Sequence, residues 1–377
     1  MKNIIYLDNA ATTPLSTKAK EAMNTYWDIE FGNPSSLYSI GVHNKKTLQD
    51  CRQRIANCIN AKPDEIYFTS CGTESDNWAL KGTAFQLKEK GNHIIVSCIE
   101  HHAILNTCKF LETIGFEITY LPVNEYGEVR LDSLINAIKE TTILISIMMV
   151  NNELGTIQNI KELCKIAHTK NILFHTDAVQ AIGHIPIDVI DLNIDMLSCS
   201  GHKFNGPKGI GFLFLKKGIE IKPLLDGGQQ ENNKRAGTEN IPLIVGMTTA
   251  LEEHINSFSK NNPYINSLRS TIIERLNTTK FKFRINGSEK HVPGILSISF
   301  KNVEGEVLLH RLDLKGICIS TGSACDSKNT NLSHVLQAIN CEKDYAFGTI
   351  RISISERNTF EEINIFIETL IDILSKL

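Results

Sequence analysis

Three short stretches of this 377-residue chain carry side chains whose types and settings could do chemistry together. Lys203 lies in Ser200-Gly201-His202-Lys203-Phe204-Asn205-Gly206-Pro207, directly after an apolar run and among histidine, aromatic and glycine residues. A turn lysine is ordinarily solvated, but these neighbours suit a pocket amine. Asp177 closes the run Ile172-Leu173-Phe174-His175-Thr176, and Gln180 follows three residues later. An acid there is ordinarily an exposed turn residue, yet α/β folds hold their ligands just beyond the carboxyl ends of strands. Ser70-Cys71-Gly72-Thr73-Glu74-Ser75 follows a strand-like run and opens a polar-capped helix, whose first N–H groups can receive an anion. Alone, that third motif is no more than a helix cap.

Taken together, the three meet the needs of pyridoxal phosphate. Its aldehyde requires an amine, its pyridine nitrogen a carboxylate that keeps it protonated, and its phosphate a set of backbone donors. A fourth residue stands apart. Cys325 sits in Ser320-Thr321-Gly322-Ser323-Ala324-Cys325-Asp326-Ser327-Lys328-Asn329, an almost wholly polar stretch. Without a large apolar anchor the stretch reads as an exposed, mobile loop, unsuited to a buried structural cysteine. A free thiol titrates near ~8.5, so nucleophilic use needs local help, for which Lys328 is one source.

The elements that must position these residues follow from the apolar runs. Strand-like runs fall at 66–69, 93–97, 117–121, 143–150, 172–177, 195–200 and 211–215, with amphipathic helical stretches at 131–140 and 160–170 between some of them. This alternation predicts an α/β domain on a mostly parallel, mixed sheet. A helical stretch at 243–257 is followed by Lys260-Asn261-Asn262-Pro263, read as a polar break and a domain boundary. Beyond it, a helix at 264–276, strands at 295–300, 317–320 and 349–354, and a closing helix from Glu361 predict a smaller α+β domain. The expected division is a large domain over 15–260, and a small one over 1–14 and 261–377 that carries the Cys325 loop.

Composition narrows the class. At 42% hydrophobic and 21% charged, the chain reads as globular, and its length calls for two domains. A net charge of -3 gives no electrostatic reason for a nucleic-acid or membrane partner. The N-terminus turns polar too soon for a signal peptide, and no apolar run reaches the ~20 residues of a membrane span, so a cytoplasmic location is expected. The ten cysteines include no C-x-x-C pair, which speaks against a zinc site, and no metal site is expected. Most of the ten, Cys164 and Cys199 among them, read as small buried apolar residues.

With these residues in view, the chain resembles the cysteine desulfurases of the class-V aminotransferase fold, a fold type I architecture. The resemblance rests on Tyr6-Leu7-Asp8-Asn9-Ala10-Ala11-Thr12-Thr13-Pro14, Gly32-Asn33-Pro34-Ser35-Ser36, Glu100-His101, Asn151-Asn152-Glu153, His175-Thr176-Asp177-Ala178-Val179-Gln180, Ser200-Gly201-His202-Lys203, Arg235-Ala236-Gly237-Thr238 and Gly322-Ser323-Ala324-Cys325. It implies that Lys203 forms the Schiff base, Asp177 pairs with the pyridinium and Gln180 bonds the ring hydroxyl. His101 would stack on the ring and help move protons, with His102 a bystander. Gly72, Thr73, Ser200 and His202 would hold the phosphate, joined by Thr238 from a second subunit of a homodimer. Asn152 would touch cofactor or substrate, Arg351 would take the substrate carboxylate, and Asn33 would lie beside the substrate.

The resemblance further implies an enzyme that converts L-cysteine to L-alanine and passes sulfur, as a persulfide on Cys325, to an acceptor protein. Iron–sulfur scaffolds and tRNA-thiolation proteins are both open as acceptors. Cys71-Gly72-Thr73 departs from the Gly-Ala-Thr of many relatives. The chain stops on its closing helix, where housekeeping relatives continue into a scaffold-docking tail, so weaker docking or another acceptor is expected. Selenocysteine lyase, a plain class-V aminotransferase and a catalytically silent sulfur-carrier or scaffold are the alternatives. The aminotransferase has no use for Cys325, and the silent scaffold none for Lys203, Asp177 and His101.

Overall fold

The computed structural model describes residues 4–321 and 332–377. Its strands are β1 (Ile5–Tyr6), β2 (Ile66–Thr69), β3 (His93–Ser97), β4 (Glu117–Leu121), β5 (Thr142–Ser146), β6 (Leu173–Asp177), β7 (Met196–Ser200), β8 (Gly211–Leu215), β9 (Phe283–Asn286), β10 (Ile295–Phe300), β11 (Ile317–Cys318) and β12 (Thr349–Ser353). Seven form one sheet in the order β2-β8-β7-β6-β5-β3-β4. The pairs from β4 across to β7 are parallel, and β8 alone runs against its neighbours β7 and β2. The mixed, mostly parallel sheet read from the runs is therefore the one observed.

Helices on both faces explain why β3, β5, β7 and β8 are apolar without alternation: every residue of each is buried. The edge strand β4 differs, exposing Glu117 and Tyr120. Because the strands from β4 to β7 are parallel, their carboxyl ends share one rim. Ser97, Ser146, Asp177 and Ser200 end there, and the chain leaves that rim into Glu100-His101, Asn151-Asn152, Val179-Gln180 and Gly201–Lys203.

Two expectations about elements fail. The run at 143–150 is a strand only to Ser146. From Ile147 it turns irregular, although the N–H groups of Ile147 and Met149 still donate to His175 O (3.1 Å) and Asp177 O (2.8 Å). The polar break at 260–263 does not interrupt its helix, which runs Ile241–Asn277 with Pro263 inside it. An interior proline costs about 3 kcal/mol. Beyond it Ile265, Leu268, Ile272 and Leu276 are buried, at roughly 1.5–3 kcal/mol each, and outweigh that cost.

One hydrophobic cluster lies under that helix's first half, where Ile241, Ile244, Val245, Met247 and Leu251 join Phe174, Phe204 and Phe212 of the large sheet region. Its second half belongs to a separate cluster with Leu7, Leu296, Ile298, Phe300, Ile350, Ile352 and Phe366. This second cluster covers the antiparallel sheet β9-β10-β12, to which the parallel pair β1-β11 is joined by bridges Asp8–Ser353 and Ser320–Arg351. A smaller cluster packs Val335, Leu336 and Ile339 on Ile99, Met148 and Leu154. None of the described helices is long and apolar enough to cross a membrane.

Candidate active site

The rim of carboxyl ends opens into a cavity of about 320 Å³. Ten of the residues singled out from the sequence line it: Gly72, Thr73, His101, Asn152, Asp177, Gln180, Ser200, His202, Lys203 and Arg351. Thr238 and Asn33 do not. Both are exposed, and Asn33 Oδ1 accepts the Ser35 N–H at 2.9 Å. Cys325 and Lys328 lie outside the described residues.

Lys203 reaches the cavity from a single turn of 3₁₀ helix, Gly201–Lys203, that follows β7. Its Nζ donates to Ala10 O (2.7 Å) and Ala11 O (2.9 Å). The N-terminal segment is latched onto that turn, since Thr13 N–H and Oγ1 both donate to His202 O, at 3.0 and 2.9 Å. Gln180 Nε2 shares the Ala10 carbonyl at 2.9 Å. Lys208, the nearest competing lysine in sequence, is exposed.

Asp177 ends β6 with its carboxylate buried, and its Oδ1 accepts the Val179 N–H at 2.9 Å. Burial raises its pKa above the usual carboxylate range, opposed by the Val179 N–H and by the charge of Lys203. The sequence reading missed its neighbour Asp76, one turn inside the helix Gly72–Leu87, 1% exposed and with Oδ1 lacking a hydrogen-bond partner among the described residues. Burial and then the Asp177 charge push the Asp76 carboxyl well above the usual carboxylate range. His175, whose Nε2 lies 3.7 Å from Asp76 Oδ1, is neutral, held down to about 3 by burial, with Ser146 Oγ at 2.8 Å and Ser198 Oγ at 2.9 Å.

His101 caps the helix His102–Thr113, its Nδ1 accepting the Ala103 N–H at 3.1 Å, which leaves the proton on Nε2. Burial, then Lys203, lowers its pKa to about 4. His102, set aside as a bystander, is also on the cavity wall, its ring 5.1 Å from that of His334. Glu100 behind them is fully buried; Ser97 Oγ (2.5 Å) and Met148 N–H (2.8 Å) donate to its Oε1, and burial pushes it up to about 8.

Across the cavity Arg351 projects from β12. Its Nη1 donates to Asn152 O (3.0 Å) and its Nη2 to Asp8 Oδ1 (2.8 Å), with its side chain 3% exposed.

The helix Gly72–Leu87 points its first turn at the cavity and has no side-chain cap. The N–H groups of Gly72 and Thr73 lack intrahelical acceptors and are ready for an anion. Five of the nine described cysteines are buried, including Cys164 and Cys199, whereas Cys71 is on the cavity wall.

Comparison with known proteins decides the family. The class-V aminotransferase model matches residues 5–366. The chain belongs to the class-V aminotransferase family. A cysteine desulfurase IscS of Methanosarcina thermophila is 50% identical over 99% of this chain and 92% of its own length. A solved NifS-like protein superposes with a TM-score of 0.94 at 38% identity, covering 99% of this chain and all of that one. SspA in complex with cysteine follows at 0.84 and 37%, covering 94% of this chain and all of that one.

The cofactor of this class-V aminotransferase is pyridoxal 5′-phosphate, and the cavity fits it. The uncapped helix start, the buried Asp177–Asp76 carboxyl pair and the amine of Lys203 form the donor and acceptor set that cofactor requires. Close approach at the helix start needs glycine, because a Cβ on Gly72 would lie 2.6 Å from Val179 Cγ2.

Proposed function

We propose that this chain is a cysteine desulfurase that converts L-cysteine to L-alanine and receives the sulfur on Cys325 as a persulfide. The observation that carries the reading is the convergence on one cavity of Lys203, the buried Asp177, an uncapped helix start and Arg351. The full-length likeness to IscS desulfurases and to cysteine-bound SspA supports cysteine as the substrate.

Bound pyridoxal phosphate supplies an electron sink that loosens bonds at the substrate Cα and Cβ. Lys203 is the amine that holds its aldehyde, and Lys203 Nζ then takes and returns the Cα proton. Asp177 pairs with the ring nitrogen, with the Asp76 carboxyl, its pKa raised by burial, near it. Gln180 bonds the ring hydroxyl, and His101 covers the ring face and stays uncharged at neutral pH. Gly72, Thr73, Ser200 and His202 take the phosphate. Arg351 binds the substrate carboxylate through its planar fork, next to Asn152. The Cys325 thiolate forms an S–S bond to the substrate sulfur as the Cβ–S bond breaks. The electron pair left on Cβ takes up one proton, and the Cα proton returned by Lys203 completes alanine.

Thr238 completes the phosphate site of a partner subunit, so the working unit is a homodimer. The two main clusters support a division into 15–260 and a smaller domain of 1–14 with 261–377, with Ala10, Val292 and Ile295 of the smaller one packing into the larger one's core. Iron–sulfur cluster assembly is the pathway the IscS names favour, with tRNA thiolation a further outlet in the cytoplasm. Cys325→Ser tests the central claim. It should bind the cofactor as wild type does and lose nearly all alanine production from L-cysteine, while some activity on selenocysteine remains, because selenium leaves more readily. Desulfuration of L-cysteine at the wild-type rate would remove Cys325 from the mechanism.

A further inference from the structure

The phosphate-binding corner carries an acid with no part in the chemistry above. Glu74 is the third residue of the helix Gly72–Leu87, next to Thr73. A carboxylate in a first turn complements the helix dipole, and this one adds a negative charge next in sequence to Thr73, just off the cavity wall where the phosphate is read to bind. Arg235 is laid across it, Nε donating to Oε1 at 2.8 Å and Nη2 to Oε2 at 3.1 Å. The two side chains are only 19% and 11% exposed. Burial alone would raise the Glu74 pKa. Hydrogen bonds from Arg235 and Ser70 outweigh that and hold it below its usual range, so the carboxylate is charged at neutral pH.

The segment bringing Arg235 is itself anchored. Glu231, Asn232 and Asn233 all have left-handed backbone, with φ of 46°, 55° and 63°. For residues with a Cβ this conformation costs of order 1–3 kcal/mol each and persists only when the surroundings impose it. Here the Glu231 carboxylate is buried against Arg52, at 2.8 and 2.7 Å, and accepts the Phe68 N–H at 2.8 Å. Phe68 lies in β2, the strand that leads into the phosphate turn. The segment therefore grips the corner twice, on the strand before the turn and on the helix after it.

We infer that Arg235 is a positioning residue for the cofactor phosphate: its two-pronged ion pair cancels the charge of Glu74, so that the helix start accepts a dianion. This rests on the reading that phosphate sits at Gly72 and Thr73. The test uses apo protein titrated with pyridoxal phosphate and with pyridoxal, followed by visible absorbance, with inorganic phosphate as competitor. Arg235→Gln should weaken pyridoxal phosphate binding about tenfold or more, the scale of one unit-charge repulsion across a few ångströms of partly hydrated site. Pyridoxal binding should change less than about twofold, since it lacks the phosphate. Glu74→Gln in the same chain removes the repelling charge and should return affinity to within about threefold of wild type.

A double variant as weak as Arg235→Gln, or an equal loss for pyridoxal, would overturn the inference and leave Arg235 a purely structural residue. Should Arg235→Gln not fold, Arg235→Lys takes its place. Lysine keeps the charge and should keep affinity within about threefold, and a tenfold loss there would also overturn the inference. Wild-type protein that binds pyridoxal as tightly as pyridoxal phosphate, with no competition from inorganic phosphate, would instead refute the underlying placement of the phosphate, and the inference with it.

Discussion

Adding one methyl group at Gly72 tests how closely the cofactor cradle is built. The Cβ of Gly72→Ala would lie 2.6 Å from Val179 Cγ2 and 3.5 Å from Ser200 Cβ, and only the first contact is too short to tolerate. Val179 cannot rotate away easily, because a β-branched side chain has little χ1 freedom. Nor can its backbone shift without disturbing Asp177, whose Oδ1 holds the Val179 N–H at 2.9 Å. Overpacking of this kind costs about 1–3 kcal/mol. The part that can yield is the helix start, whose N–H groups then move off the phosphate. If the whole cost falls on cofactor binding, affinity drops by about 5- to 150-fold, at tenfold per 1.4 kcal/mol. Titrating apo protein with pyridoxal phosphate measures this directly. Val179→Ala in the same chain removes Cγ2 and should recover most of the loss. Wild-type affinity in Gly72→Ala, or failure of Val179→Ala to restore it, would refute the reasoning.

Glu100 predicts a pH dependence of stability. The folded state keeps a proton on Glu100 up to about pH 8, while the unfolded chain releases it near the ordinary glutamate value, so this contribution declines as pH rises through that window. Glu100→Gln, whose Oε1 can accept the same two bonds, should gain on wild type by up to about 1.4 kcal/mol per pH unit between pH 5 and 8 in urea unfolding of the apo protein; parallel profiles would count against it. Arg351→Lys keeps the charge but loses the fork, and should raise KM for L-cysteine roughly 10- to 100-fold with cofactor affinity little changed. An unchanged KM would take the substrate carboxylate away from Arg351.

The large sheet was legible because strands buried on both faces must be continuous apolar runs, and β3, β5, β7 and β8 are buried throughout. The same logic hid where β5 ends. Met148 and Val150 stay apolar because they turn into the cavity wall, so composition does not change when the strand stops. Pro263 misled for a related reason: local propensity marks a break, but burial of Ile265 to Leu276 on a second cluster decides the outcome.

Legibility at the site follows what a side chain can announce. Lys203, Asp177 and His101 declare their chemistry by residue type and by standing at or just past strand ends in recognisable motifs, whereas Arg351, in the middle of β12, was reached only through the family resemblance. Asp76 was within reach, being one helical turn beyond Thr73 on the helix already singled out, but its burial comes only from tertiary packing. Glu74 and Arg235 meet across 161 residues, a contact that neither motif predicts alone. The grip on Lys203 itself lies further out of reach. Its partners are the main-chain carbonyls of Ala10 and Ala11, which every residue type possesses. Nothing about an alanine side chain says that its carbonyl faces an amine 192 or 193 residues away. That information resides in the latch of Thr13 onto His202 O, which fixes the path of the N-terminal segment and hence where those two carbonyls point.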